Sequence, residues 1–464
     1  MARARNRGSL NVWLNGIPVG QWTNATNTST FEYFDQWIEH EQGRPLSLSM
    51  PFRPDNAAYS GDVVTNYFDN LLPDSEPIRR RLAQRHQTGG TSPFELLAAI
   101  GRDCVGAAQL LPVDQVPDDL FSINGDVLDE QRVARLLRST TVAAGGLARA
   151  EPNADLRLSI AGAQEKTALL WRDGQWLLPK GSTPTTHILK LPLGLVGDMR
   201  ADFRTSVENE WLCAQIMELF GLPVARSAIL QFDDQKVLAV ERFDRKNSDD
   251  GTWIARLPQE DMCQAVGCSP LEKYQREGGP GIERIMQLLL GSEAAELDRL
   301  NFYKTQLIFW LLIATDGHAK NFSIAILPGG RYRATPLYDV LSAHPIIGTG
   351  RNQIQPRDAK LAMAVRGSTN YYEAYRIQRR HWSAMARRVN LGARTAESVI
   401  GELLAQTPQV VQDAYRRIPA GFPQDVADSI LQGMLRQLAT LRAQPPVFEA
   451  KDERTRRPQS RAQA

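Results

Sequence analysis

The chain has 464 residues, with 54 basic and 52 acidic side chains; the net charge of +2 gives no global signal for a polyanion partner, and the length suits two or three domains of about 100 to 200 residues. Its longest uninterrupted apolar run, Leu307 to Ala314, is eight residues, well short of the roughly 20 that a bilayer-spanning helix needs. The four cysteines, Cys104, Cys213, Cys263 and Cys268, lack zinc-ligand spacing and read as reduced thiols of a cytoplasmic protein.

Arg3, Arg5 and Arg7 open the chain and no apolar run follows. Residues 1–8 therefore read as a flexible basic start rather than a secretory leader. Two alternating runs around Asn15 and Gly16 predict a hairpin. "RPLSLSMPF", 44–52, alternates and predicts a strand. "VVTNYFDNLLPDSEPIRRRLAQRH" predicts two helices parted at "LPDS", with Asp74 or Ser75 as the cap of the second. "SPFELLAAIGRDCVGAAQLLP" adds a helix, a glycine stop and a buried strand. Residues 9–112 thus form a small α+β unit, and 113–155 read as a linker or helical connection.

From 156 to 245 the chain is β-rich. "LRLSIAGAQEKTALLWRDGQWLLPK" predicts strands around two tight turns, and "THILKLP" predicts another. "SVENEWLCAQIMELFGLPV" is an amphipathic helix stopped by Gly221, and a hairpin turning at Asp233 and Asp234 follows. Residues 246–442 are predicted helical, with one hairpin that turns at "PGG", 328–330. Residues 443–464 read as a flexible basic tail. A small α+β unit, a β-rich lobe and a helical lobe together predict an α+β, two-lobed, protein-kinase-like fold.

Phosphoryl transfer needs a phosphate cover, a pairing cation, an acid for the attacking hydroxyl and oxygen ligands for magnesium. "SIAGAQEK" offers the cover: backbone N–H groups at Ala161, Gly162 and Ala163 would cradle anionic oxygens, although an ordinary hairpin turn has the same look. Lys190 ends a predicted strand, and Glu210 lies on the next helix, which is the spacing of a lysine–glutamate pair that orders a kinase site. Glu208 and Asn209 are the alternative: an ordinary exposed helix face. Glu241, Arg242 and Phe243 leave the last strand of the β-rich lobe, where backbone groups would meet an adenine edge; a plain charged strand end is the other reading. "ATDGHAKNF" puts Asp316 and Asn321 at the D-x4-N spacing of a catalytic loop. Asp316 would orient the acceptor hydroxyl, Asn321 would bind magnesium and Lys320 would neutralise the transferring phosphoryl. Asp339 in "PLYDV" supplies a second hard oxygen ligand. His318 has no nearby histidine partner and fits a structural role.

These residues also resemble a known family, the HipA serine/threonine kinases, which are toxins of bacterial HipBA toxin–antitoxin modules. The matching motifs are "LSIAGAQEKTALL", "PKGSTPTTHILKLP", "LAVERFDR", "RLPQEDMCQ", "KYQREGGPGI", "ATDGHAKNFS" and "LYDVLSA", with "RPLSLSMPF" and "FDNLLPDS" upstream. The resemblance implies ATP and Mg2+ as cofactors. It implies an ATP loop at Ala161, Gly162, Ala163, Gln164, Glu165 and Lys166, and phosphate binding by Lys190. It implies a hinge at Glu241 to Phe243 and a catalytic base at Asp316. Contacts to ATP and magnesium would come from His318, Ala319, Lys320, Asn321, Tyr338 and Asp339. Ser159 would be the site of inactivating autophosphorylation; a phosphate beside a phosphate-holding loop competes with ATP. The implied target is glutamyl-tRNA synthetase. The implied partners are a HipB-like helix-turn-helix antitoxin dimer and the operator DNA that the complex represses.

A separate signal lies in "YRIQRRHWSAMARRVNLGAR", 375–394, with six arginines and no acid. On one helix, Arg376, Arg380 and Arg387 share a face near Arg388, which suits phosphate contacts to DNA; a solvated charged helix is the alternative. The competing functional readings are a catalytically weak DNA-bound co-repressor and a small-molecule kinase. The intact set Lys190, Asp316, Asn321 and Asp339 favours a working protein kinase.

Overall fold

The computed structural model describes residues 8–25, 28–141, 158–159, 164–197 and 200–447. Residues 1–7 of the expected flexible start, 448–464 of the expected tail and the turn at Ala161, Gly162 and Ala163 lie outside these residues, as does the glycine-bearing stretch 142–157.

The chain opens with a five-stranded antiparallel sheet in the order Tyr59–Ser60, Ser29–Tyr33, Ile17–Asn24, Gly8–Leu14, Ala108–Pro112. Asn15 and Gly16 both take positive φ, 47° and 84°, as the tight hairpin turn requires. The helices Asp62–Asp69 and Pro93–Ile100 lie among the groups that bury Trp22, Phe31 and Phe68. Trp22 stacks on Phe68 with ring centres 4.0 Å apart. The predicted strand 44–52 is absent: Ser47 and Met50 only bridge a tight turn. Its alternation serves a docking segment instead. Leu48 N–H donates to Glu260 at 2.8 Å, and Arg44 donates to the Ile326 carbonyl at 3.2 Å.

The β-rich lobe is a six-stranded antiparallel sheet in the order Ser227–Phe232, Gln235–Glu241, His187–Lys190, Lys166–Arg172, Gln175–Pro179, Gly125–Leu128. The stretch expected as connection therefore supplies an edge strand. It also supplies the helix Glu130–Thr141, whose Val133, Ala134 and Leu137 pack against Leu169 and Leu189 in this lobe's core. Helix Ser206–Leu219 shares its core with the helical lobe through Leu212, Cys213 and Ile216.

In the helical lobe, Ala295–Leu312, Ala393–Arg417 and Gln424–Arg442 surround the largest core. The run Leu307 to Leu312 is buried there, so its apolarity reflects a protein interior. The "PGG" hairpin exists, Ser323–Ile326 with Tyr332–Ala334, and Gln259–Asp261 joins it as a third strand. A second hairpin, Lys360–Arg366 with Asn370–Glu373, was not expected. Its first strand is apolar without alternation because it is buried on both faces. Among the described residues no helix is long and apolar enough to cross a membrane.

Candidate active site

Three elements converge. The strand His187–Lys190 ends with the Lys190 ammonium 2.6 Å from Glu210 on helix Ser206–Leu219 and 2.9 Å from Asp339. Lys166 lies opposite Lys190 in the strand ladder. Two like charges in that register repel, so the arrangement calls for anions. Burial pulls Lys190 down, but Asp339 and Glu210 hold it above the usual lysine range. Burial also lowers Lys166, to about 8, and Lys190 adds to the shift. Burial pushes the Glu210 carboxyl up to about 7 against the pull of Lys190. Desolvation would raise the partly exposed Asp339 carboxyl, yet Lys190 and Lys166 hold it well below the usual carboxylate range.

Helix Ala295–Leu312 delivers the second element. It stops at Ile313, whose φ of 47° is left-handed and strained for a β-branched residue. The stop is secured by Ala314 N–H donating to the Phe309 carbonyl at 2.8 Å. The next residues fold into a compact loop: His318 N–H reaches the Asp316 carbonyl at 2.7 Å, and Asn321 Nδ2 reaches it at 2.7 Å. Asp316 and Asn321 are thereby locked to one another. Gly317 follows Asp316 in this loop, and its backbone is not left-handed. The constraint is space, because a Cβ there would sit 2.5 Å from the Phe309 ring.

The third element returns from the Ser323–Ile326 hairpin. Tyr338 donates to the Lys320 carbonyl at 2.8 Å, and the Asp339 carbonyl accepts from Asn321 at 3.4 Å. Asp339 itself sits at φ 59°, a costly conformation held by these contacts. Phe243 faces the Tyr338 ring with centres 5.9 Å apart. Lys190, Glu210, Asp316, Asn321, Tyr338 and Asp339 are therefore brought together.

Several expectations change. Lys320 is not poised for a phosphoryl group. Its buried ammonium lies 3.0 Å from Asp74 and 3.1 Å from both the Asn70 carbonyl and side-chain oxygen, which occupies all three of its donors. The Arg242 side chain turns away from any adenine site into a buried ion cluster with Asp103 and Asp244. The N–H groups of Glu241 and Arg242 already donate to Arg226 and Thr186, each at 2.8 Å. Phe243 N–H is the hinge donor left to an adenine. Gln164 donates to the Leu191 carbonyl at 2.5 Å, and Glu165 pairs with Arg81 of the N-terminal unit. His318 is buried, which lowers its pKa despite nearby Asp316. Ala319 N–H is taken by the Lys273 carbonyl at 3.2 Å. Glu208 is buried and binds Lys236 at 2.6 Å, so it does not form an exposed face. Ser159 lies in a two-residue strand beside Asp103 and Cys104; its side chain lies outside the described residues.

The arginine stretch is not one helix. A short 3-10 turn, Ala374–Arg376, precedes the helix Arg379–Arg388, so Arg376 leaves the shared face. Arg379 is buried against Glu397 at 2.5 Å. Arg380, Arg387 and Arg388 are exposed, and Arg388 binds Glu283 at 2.9 Å.

Sequence reasoning missed three neighbours of the loop. Tyr274 donates its hydroxyl to Asp316, and its ring meets the His318 ring edge-on at 5.0 Å. Lys273 lies 2.8 Å from Asp74. Asp74 is no helix cap: Ser75 takes that position without a side-chain cap bond, and the Asp74 carboxylate binds the two lysines. No local pattern announces these contacts, because they link distant segments.

Models of two families match the chain: HipA N-terminal domain over residues 10–111 and HipA-like C-terminal domain over residues 158–411. A Sinorhizobium fredii protein named "Putative kinase Y4mE" is 37% identical over 72% of this chain and 77% of its own length. The serine/threonine-protein kinase toxin HipA of Shewanella oneidensis is 26% identical over 77% of this chain and 78% of its own. A solved Shewanella oneidensis complex of HipA, HipB and its operator DNA shares the fold with a TM-score of 0.73. It is 23% identical, over 93% of this chain and 96% of that chain. The matched segments span both the N-terminal unit and the converging site, and on them the chain belongs to the HipA family.

Proposed function

We propose that the protein is an ATP- and magnesium-dependent serine/threonine protein kinase acting as the toxin of a toxin–antitoxin pair. One observation carries the reading: the buried pair Lys190 and Glu210 and the partly exposed Asp339 form a triad beside a loop that ties Asp316 to Asn321. The proposed units are 9–112, the β-rich lobe 156–245 with the strand Gly125–Leu128 and the helix Glu130–Thr141 added to it, and 246–442.

In this reading Lys190, oriented by Glu210, holds the phosphates, and Lys166 adds charge beside it. The ATP loop spans Ala161 to Lys166, and Phe243 supplies the hinge donor. Asp316 accepts the proton of the acceptor hydroxyl as that oxygen attacks phosphorus. The donor set suits magnesium: the Asn321 amide spends its nitrogen on the loop and leaves its oxygen, and Asp339 adds a carboxylate. Magnesium, when bound, would neutralise charge on the phosphates.

The finer proposals follow the family resemblance: glutamyl-tRNA synthetase as target, Ser159 as an inactivating autophosphorylation site, and a HipB-like dimer with operator DNA as partners. Exposed Arg380, Arg387 and Arg388 are the proposed DNA contacts. Substituting Arg387 with Ala should weaken operator binding by the antitoxin complex and flatten its log-salt slope by about 0.9; an unchanged slope removes that contact.

The site is tested by calorimetric titration with ATP and magnesium. Lys190→Met and Asp339→Asn should each weaken ATP binding by about tenfold or more, and magnesium should tighten binding to wild type but not to Asp339→Asn. Equal affinity in all three proteins would remove the proposed ATP site.

A further inference from the structure

We infer that Asp74, a residue of the N-terminal unit, is a positioning residue for the loop that carries Asp316 and Asn321. The inference rests on the kinase reading above.

The Asp74 carboxylate divides its oxygens between two cations: Oδ1 lies 3.0 Å from Lys320 and Oδ2 lies 2.8 Å from Lys273. All three groups are largely buried, with side-chain exposures of 10%, 3% and 15%. Each lysine grips the loop by a different route. Lys320 is a loop residue, next to Asn321. Lys273 accepts the Ala319 N–H on its carbonyl at 3.2 Å. Tyr274, the next residue, donates to the Asp316 carboxylate and packs on His318.

One carboxylate from a separate unit thus pins the loop from both sides. Asn70 of the same unit adds two contacts to Lys320 at 3.1 Å. Without the Asp74 charge, two buried ammonium groups lose the counterion they share, and Asp261 stands farther off, 3.9 Å from Lys320. Their repulsion would displace the loop on both sides of Asp316. An error of about 1 Å in a reacting group costs about a hundredfold in rate. Lys190, Glu210 and Asp339, which hold nucleotide in this reading, make no contact with Asp74. The effect falls mainly on turnover, and ATP affinity changes only by the smaller share that Asn321 and Lys166 contribute.

The test uses the full chain, labelled ATP and magnesium, with kcat and the ATP KM measured separately. Asp74→Asn should lower kcat by about tenfold or more and leave the ATP KM within about threefold. Lys320→Met should lower kcat in the same direction, and the loss in the double variant should be smaller than the product of the two single losses, because the Asp74–Lys320 pair is lost once. If Asp74→Asn does not fold, Lys273→Met removes the other half of the clamp and carries the same test. A folded variant with kcat within about twofold of wild type overturns the positioning role, as does a parallel loss of ATP affinity. A wild type that transfers no phosphate overturns the kinase reading itself, and is recognised before any variant is compared.

Discussion

Asp74 shows how one side chain acquires a measurable signature. Burial alone would raise its pKa, but Lys320 and Lys273 reverse the shift and hold it at about 2 against a usual 3.8. Because the folded value lies below the unfolded one, the stabilisation is present above pH 3.8 and disappears as pH falls towards 2. A shift of that size is worth about 2 kcal/mol. The stability gap between wild type and Asp74→Asn in denaturant titrations should therefore be full at pH 6, about a third of that at pH 2.5 and nearly closed at about pH 1.5. A gap that does not change with pH would contradict the ion-pair account. Gly317 offers a second residue-scale check. A methyl group there meets the Phe309 ring at 2.5 Å, and overpacking of this kind costs about 1 to 3 kcal/mol. Gly317→Ala should lower stability by that amount, and Gly317→Ala with Phe309→Leu should recover part of it. At this scale the sequence was legible where chemistry is local. Asp316 and Asn321 are five residues apart, and that spacing together with Asp339 after the next hairpin marks them. Asp74 and Tyr274 are invisible because their partners lie far along the chain.

Among the elements, the junction between the N-terminal unit and the β-rich lobe is an ion cluster rather than an apolar seam. Asp103 accepts from Arg245 at 2.8 Å, Arg256 at 3.2 Å and Arg242 at 3.4 Å, and Thr185 donates to it at 2.7 Å. Asp244 balances Arg242 and Arg245 and accepts the Gly106 N–H at 2.7 Å. Removing one partner from a buried charge set leaves the others uncompensated, at a cost of about 3 to 5 kcal/mol. Asp103→Ala should destabilise the chain by that amount in urea unfolding, whereas a loss below about 1 kcal/mol would mean that water already screens the cluster. In "LAVERFDR" the sequence offers backbone groups of Glu241, Arg242 and Phe243 as a hinge, or a plain charged strand end. The structure gives Arg242 to this cluster and leaves Phe243 facing Tyr338. Element reading failed where burial hides the period. Lys360–Arg366 is covered on both faces, and 44–52 alternates because it docks against Glu260 and Ile326.

Taken whole, the molecule is one sheet-and-helix unit clamped across two lobes. Strand Gly125–Leu128 and helix Glu130–Thr141 complete the β-rich lobe, and the 44–52 segment and Asp74 reach the helical lobe. The order of lobes was legible because turn signals and helical periodicity change along the chain. The clamp was not, since no local pattern encodes contact between units. The account's central claim is that this assembly transfers phosphate. Wild type and Asp316→Gln are incubated with labelled ATP and magnesium, alone and with glutamyl-tRNA synthetase. Wild type should incorporate label into itself or into the synthetase, and Asp316→Gln should lose at least about a hundredfold of that rate. Absence of label from every protein with wild type, or equal labelling by Asp316→Gln, would contradict the account.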